Sequence, residues 1–143
     1  MRNGFRLVVA IAVMGFAVLG CGKSDDSSPS DMAALQGTWV GNEAGEQGNK
    51  CKLVIQGDTL EFHGPNPQEW YKATFVLDEQ AQPKEIDVHI HECGISKYVD
   101  KVAKAIYSIE QGTFTLAGNE PGSQTRPAAF GPDVRTFVFM KQK

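Results

Sequence analysis

From Thr38 onward, apolar and polar residues alternate along this chain, and turn residues break the alternation roughly every eight to twelve positions. A period of two is the mark of a strand with one buried and one wet face. The pattern predicts strands at Thr38–Asn42, Lys52–Gln56, Thr59–His63, Tyr71–Leu77, Glu85–His91, Lys104–Glu110, Thr113–Ala117 and Val134–Lys141. Leu53 and Ile55 share a face, as do Leu60 and Phe62; so do Tyr71, Ala73, Phe75 and Leu77, then Ile86, Val88 and Ile90, then Phe114 and Leu116. The opposite faces carry Lys52, Glu61, Lys72, Asp87 and His89. Gly57-Asp58 and Gln111-Gly112 each stand between two such runs, where glycine supplies the positive φ of a tight hairpin. Before the first strand, Met32 to Gln36 suits a short helical turn, capped by Ser30 or Asp31 and ended by Gly37. About eight short antiparallel strands with one wet face each need a sandwich or a closed barrel, and closure removes the edges that would aggregate.

Several runs carry a family resemblance. LQGTW at 35–39 resembles the G-x-W opening of lipocalins, with Gly37 and Trp39 as its signature. Together with LVIQGDTLEF at 53–62, ATFVLDEQAQPKEIDV at 73–88, AIYSIEQGTFTLAG at 105–118, RPAAF at 126–130 and RTFVFMK at 135–141, it resembles a family of uncharacterised lipocalin-like domains abundant in planctomycete-type bacteria. The resemblance implies an all-β, calycin-like, up-and-down antiparallel barrel, and no activity. It also implies that Trp39 plugs the closed end and packs against an arginine of the last strand, for which Arg135 is the candidate. His89-Ile90-His91-Glu92-Cys93 and the polar loop Asn42 to Lys50 depart from the family pattern.

The N-terminal segment has a different period. Arg2 and Arg6 precede an uncharged, apolar run from Leu7 to Leu19, followed by Gly20 and Cys21. A spanning helix needs about 20 apolar residues, so the run suits a cleaved signal better than a membrane anchor. Val18-Leu19-Gly20-Cys21 resembles the lipobox of bacterial lipoproteins, in which the cysteine thiol takes a diacylglycerol and becomes the mature N-terminus. Residues 1–20 are then a signal peptide, residues 21–31 a lipidated, flexible tether, and residues 32–143 the barrel domain. GKSDDSSPSD, at 22–31, has no side chain to bury, and its reach is roughly 35 Å. Gly22 after the cysteine, by resemblance to sorting signals, favours the outer membrane of the cell envelope, with the domain facing the periplasm.

Loss of residues 1–20 removes Arg2 and Arg6 and takes the formal charge from −3 to −5. An acidic domain has no electrostatic case for nucleic acid. Export also places Cys51 and Cys93 in an oxidising compartment, where a disulfide between them is one expectation and two unconnected thiols the other.

Candidate chemistry is sparse. Alternate strand positions share a face, so Asp87, His89, His91 and Cys93 are expected to point one way, opposite Ile86, Val88 and Ile90. Imidazole and thiolate ligate zinc or copper, and His63 is the remaining histidine that could join them. A solvated outer face is the competing reading. No G-x-S-x-G and no phosphate-binding G-x-x-x-x-G-K-[ST] is present, and Asp25-Asp26 and Asp78-Glu79 suit solubility. The chain is therefore expected not to be an enzyme and to need no cofactor. Trp70, Phe75, Tyr107 and Phe114 are candidates to line a ligand cavity, with Trp70 on a rim loop that begins at Pro65. Eight-stranded barrels either pack solid or hold one small ligand. The readings that follow are binding of a small apolar ligand, a packed barrel serving as an envelope-protein or structural partner, and a metal site at His89 and His91.

Overall fold

The computed structural model describes residues 29–143. The expected signal peptide, Cys21 and the tether up to residue 28 lie outside the described residues. A short helix α1 (Asp31–Leu35) is followed by β1 (Gly37–Glu43), β2 (Lys50–Gln56), β3 (Thr59–His63), β4 (Trp70–Asp78), β5 (Lys84–Cys93), β6 (Val102–Glu110), β7 (Thr113–Gly118) and β8 (Thr136–Lys141). Each strand pairs antiparallel with the next, and β8 returns to β1, so the sheet is a closed eight-stranded barrel. This is the all-β barrel, one of the two arrangements the alternation allows and the lipocalin-like one that the family resemblance implies.

The barrel closes because each strand turns its apolar side inward. Leu53, Ile55, Leu60, Phe62, Ala73, Phe75, Ile86, Val88 and Ile90 are buried in one core. The hairpins have the expected local chemistry: Gly57 has φ 61°, and Gln111 and Gly112 have φ 50° and 76°. The closing seam imposes its own demand. A Cβ at Gly41 would stand 1.9 Å from the Val138 carbonyl oxygen, so only glycine lets β1 approach β8 there.

The two barrel ends differ. At the end closed by α1, Ser30 caps the helix and its hydroxyl accepts from the Ala33 amide at 3.3 Å. Trp39 is buried, and its indole N–H donates to the Leu35 carbonyl at 2.8 Å. The Asp31 carboxylate takes the Tyr107 hydroxyl at 2.8 Å and the Lys84 ammonium at 2.6 Å, fastening the helix to β5 and β6.

At this end the register corrects the expected Trp39–Arg135 pair. Trp39 stands opposite Lys141, whereas Phe137 stands opposite Glu43, and Arg135 precedes β8 at the far end. The cation over the Trp39 ring is therefore Lys141, 5.4 Å from the centroid. Arg135 lies over Phe137 instead, at 4.9 Å. An antiparallel partner is chosen by register, and six residues along a strand span about 20 Å.

Between β7 and β8 the chain runs from Asn119 to Arg135, and Arg126 within it packs on β5 and β6. Arg126 donates to the Ile86 carbonyl at 3.2 Å and the Ala105 carbonyl at 2.8 Å, and pairs with Asp87 at 2.6 Å. Ile106 and Ala117, facing each other across the β6–β7 ladder, are buried yet stand outside the barrel core.

Candidate functional site

The end opposite α1 holds a cavity of about 360 Å³. Its wall is apolar: Leu53, Leu60, Phe62, Val88, Ile90 and Leu116 face it. Its mouth is polar, bounded by Tyr71, Tyr98, Asn119, Glu120 and Arg135. The space exists because small residues replace large ones on one side. Ala103, Ala105 and Gly118 line it where β6 and β7 run, whereas Trp39, Tyr107, Phe114 and Phe139 fill the other end.

The four aromatic residues expected to line a ligand cavity do not. Phe75, Tyr107 and Phe114 are buried in the packed half, 3%, 1% and 0% exposed. Phe114 is wedged against Trp39 and Phe139 with ring centroids 5.6 and 6.0 Å away. Trp70 is half-buried beside Gly94, where its indole nitrogen would lie 2.8 Å from an added Cβ, and it is not part of the cavity lining. Period-two reasoning assigns a residue to the inner face. It does not say which end of the barrel a residue occupies, and α1 decides which end is filled. Phe62, Tyr71, Tyr98 and Phe137 are the aromatics that face the space.

The mouth is organised around Arg135. Its Nε donates to Glu43 at 2.9 Å, and one terminal nitrogen donates to Glu43 at 3.0 Å and to Glu69 at 2.5 Å. Burial works against the Arg135 charge, but the bonds from Glu43 and Glu69 outweigh it and hold the proton more firmly than on a free arginine. Glu69 is 8% exposed, so its partner is what makes its burial tolerable. Burial, and then the nearby Glu69 charge, push the Cys51 thiol up from its ordinary value, and the same two causes push the Tyr71 hydroxyl up. Across the mouth, Tyr98 donates to Glu120 at 2.6 Å and Lys97 does so at 3.1 Å. The Tyr98 hydroxyl, and then Lys97, hold the Glu120 carboxyl below its ordinary value.

Cys51 and Cys93 are free thiols. Cys51 lies on β2 opposite Gly41 of β1, and Cys93 lies on β5 opposite Tyr71 of β4, with β3 and β4 between the two cysteine-bearing strands. Their sulfurs face their own loops, Cys51 toward the Asn49 carbonyl at 3.8 Å and Cys93 toward the Ile95 carbonyl at 2.9 Å. This corrects the disulfide expectation.

The shared face of Asp87, His89, His91 and Cys93 is also corrected. The β4–β5 ladder slips between Lys72 and Ala73: Ala73 pairs with Ile90, but Lys72 pairs with Glu92. His91 is the extra residue of a bulge, so the alternation shifts and Cys93 turns in to pack against the core. Of the rest, Asp87 is paired with Arg126. The His89 and His91 rings lie 4.6 Å apart on the outer face, with His91 bonded to Thr74 at 2.8 Å. His63 pairs with Glu61 at 2.7 Å. Among the described residues no three His, Cys, Asp or Glu side chains are grouped to hold a metal ion.

No protein-family model, curated protein or solved structure matches this chain. The geometry of the barrel therefore carries the functional reading.

Proposed function

We propose that this protein is a lipid-anchored envelope protein whose lipocalin-like barrel binds a small apolar molecule without catalysis. The cavity at the open end supports the reading. It falls within the usual size of small-molecule sites, has an apolar wall, and gathers its polar groups at the mouth, which is how such sites combine affinity with orientation. A solid barrel acting only as an envelope-protein or structural partner would leave that space without a role. Cys21 supplies the anchor in this proposal, through diacylglycerol on its thiol, in keeping with the lipobox-like run that ends at it. Two or more acyl chains hold a protein to a bilayer far more firmly than one.

Native mass spectrometry of the detergent-extracted protein tests both halves. The expected mass is that of a chain beginning at an acylated Cys21, with a second, dissociable mass for a co-purified apolar ligand. A mature chain without acylation ends the anchor reading. A barrel that carries no ligand and takes up no apolar fluorescent probe ends the binding reading.

A further inference from the structure

We infer that the cavity selects uncharged molecules with a hydrogen-bond-accepting head, such as an amide, ester or ketone on an apolar chain, and discriminates against fatty carboxylates. The inference rests on the reading of the cavity as a ligand site. Three observations carry it.

The first is charge. An arginine at the mouth of an apolar barrel suggests a fatty-acid clamp, but Arg135 is already neutralised. Glu43 takes it through both oxygens and Glu69 through one. Counting every ionised group around the mouth, Arg135 and Lys97 face Glu43, Glu69 and Glu120. A carboxylate entering would add a second uncompensated negative charge to a partly desolvated place. Displacing Glu69 to free the arginine would leave that buried carboxylate unpaired.

The second is donor supply. The bonds to Glu43 and Glu69 use Nε and one terminal nitrogen of Arg135. Among the described residues no protein acceptor takes its other terminal nitrogen or the Tyr71 hydroxyl, and both residues line the cavity. Two donor groups carrying three hydrogens are thus left among the cavity-lining residues, which suits an uncharged oxygen acceptor such as a carbonyl.

The third is size. A volume of about 360 Å³ holds about a dozen non-hydrogen atoms at the roughly 30 Å³ a water takes in the liquid. A ten-carbon chain with a small head fills it.

The test is calorimetric titration of the full processed protein in amphipol, free of detergent, with decanamide, decanoate and decylammonium at pH 7. Decanamide is expected to bind about tenfold tighter than decanoate, which adds to the negative mouth, and than decylammonium, which accepts no hydrogen bond from the free Arg135 and Tyr71 donors. In Glu69→Gln, which removes one negative charge from the mouth, the decanoate-to-decanamide ratio of dissociation constants should move toward one; if that variant does not fold, the wild-type ranking decides alone. Decanoate or decylammonium binding as tightly as decanamide overturns the inference and leaves the cavity as a ligand site. No binding of any of the three up to millimolar concentration overturns the ligand-site reading itself.

Discussion

Lys141 stands over Trp39, its ammonium 5.4 Å from the ring centroid, and donates to the Ala34 carbonyl at 3.1 Å. One side chain thus ties the last strand to both the helix and the tryptophan that closes the barrel. Trp39→Ala should cost about 3–5 kcal/mol in urea melts, as removal of a large buried aromatic does. Lys141→Gln should cost about 0.5–2 kcal/mol. Arg135→Ala should leave the environment of Trp39 unchanged, and a double-mutant coupling between Trp39 and Arg135 larger than about 0.5 kcal/mol would contradict the register.

The latch between Tyr107 and Asp31 makes stability sensitive to alkali. Burial, and then the hydrogen bond to Asp31, push the Tyr107 hydroxyl far above its ordinary 10.0. The unfolded chain releases this proton near the ordinary value while the folded chain keeps it, so raising the pH favours the unfolded state. The contribution is fully present below pH 10 and is lost as the pH climbs above it. Thermal melts should show wild type losing stability above pH 10 more steeply than Tyr107→Phe, and parallel profiles would reject the assignment.

Filling the cavity separates binding from folding. Leu116→Trp places an indole in the open space. Apolar-probe uptake should fall at least about tenfold while the circular dichroism spectrum stays that of the wild type. Unchanged uptake would mean that the probe binds elsewhere.

Gly41 should tolerate no side chain. A Cβ there meets the backbone of Val138 and Phe139, which no rotamer change can move aside. Gly41→Ala should therefore destabilise by about 3 kcal/mol or more, or prevent folding. Gly45, whose added Cβ meets nothing within 4 Å, offers a contrast. Its φ of 87° still strains an alanine, so Gly45→Ala should cost about 1 kcal/mol.

The two thiols should behave independently. Adding dithiothreitol should leave the melting temperature unchanged, and thiol titration of the denatured protein should find both Cys51 and Cys93 reactive. In the native protein Cys93 should react faster than Cys51, which is almost fully buried with its thiol pushed up. A fall in stability on reduction would restore the disulfide.

Strand number, hairpin positions and the inner face were legible because they follow from local rules. Alternation places Leu53, Ile55, Val88 and Ile90 on one side whatever the rest of the chain does. The cavity lining was half legible. The same rule turns Phe114 and Leu116 inward alike, but Phe114 meets Trp39 at 5.6 Å in the filled half and Leu116 faces the empty one. Nothing in the β7 sequence marks that boundary. Glu69 was invisible for a related reason: it lies in a polar loop and is buried only because Arg135 arrives beside it from 66 positions away.

The sequence by itself determined about eight short antiparallel strands, each with one apolar face, preceded by a capped turn, because period, turn chemistry and capping act within a few residues; the choice of a closed barrel over a sandwich was made by the pairing of β8 with β1. Tertiary structure alone decided which cation covers Trp39, that the β5 bulge turns Cys93 away from His89 and His91, and that the Arg135 charge is already taken. Those outcomes depend on strand register and on which end α1 fills, and both are set by packing between segments far apart in the chain.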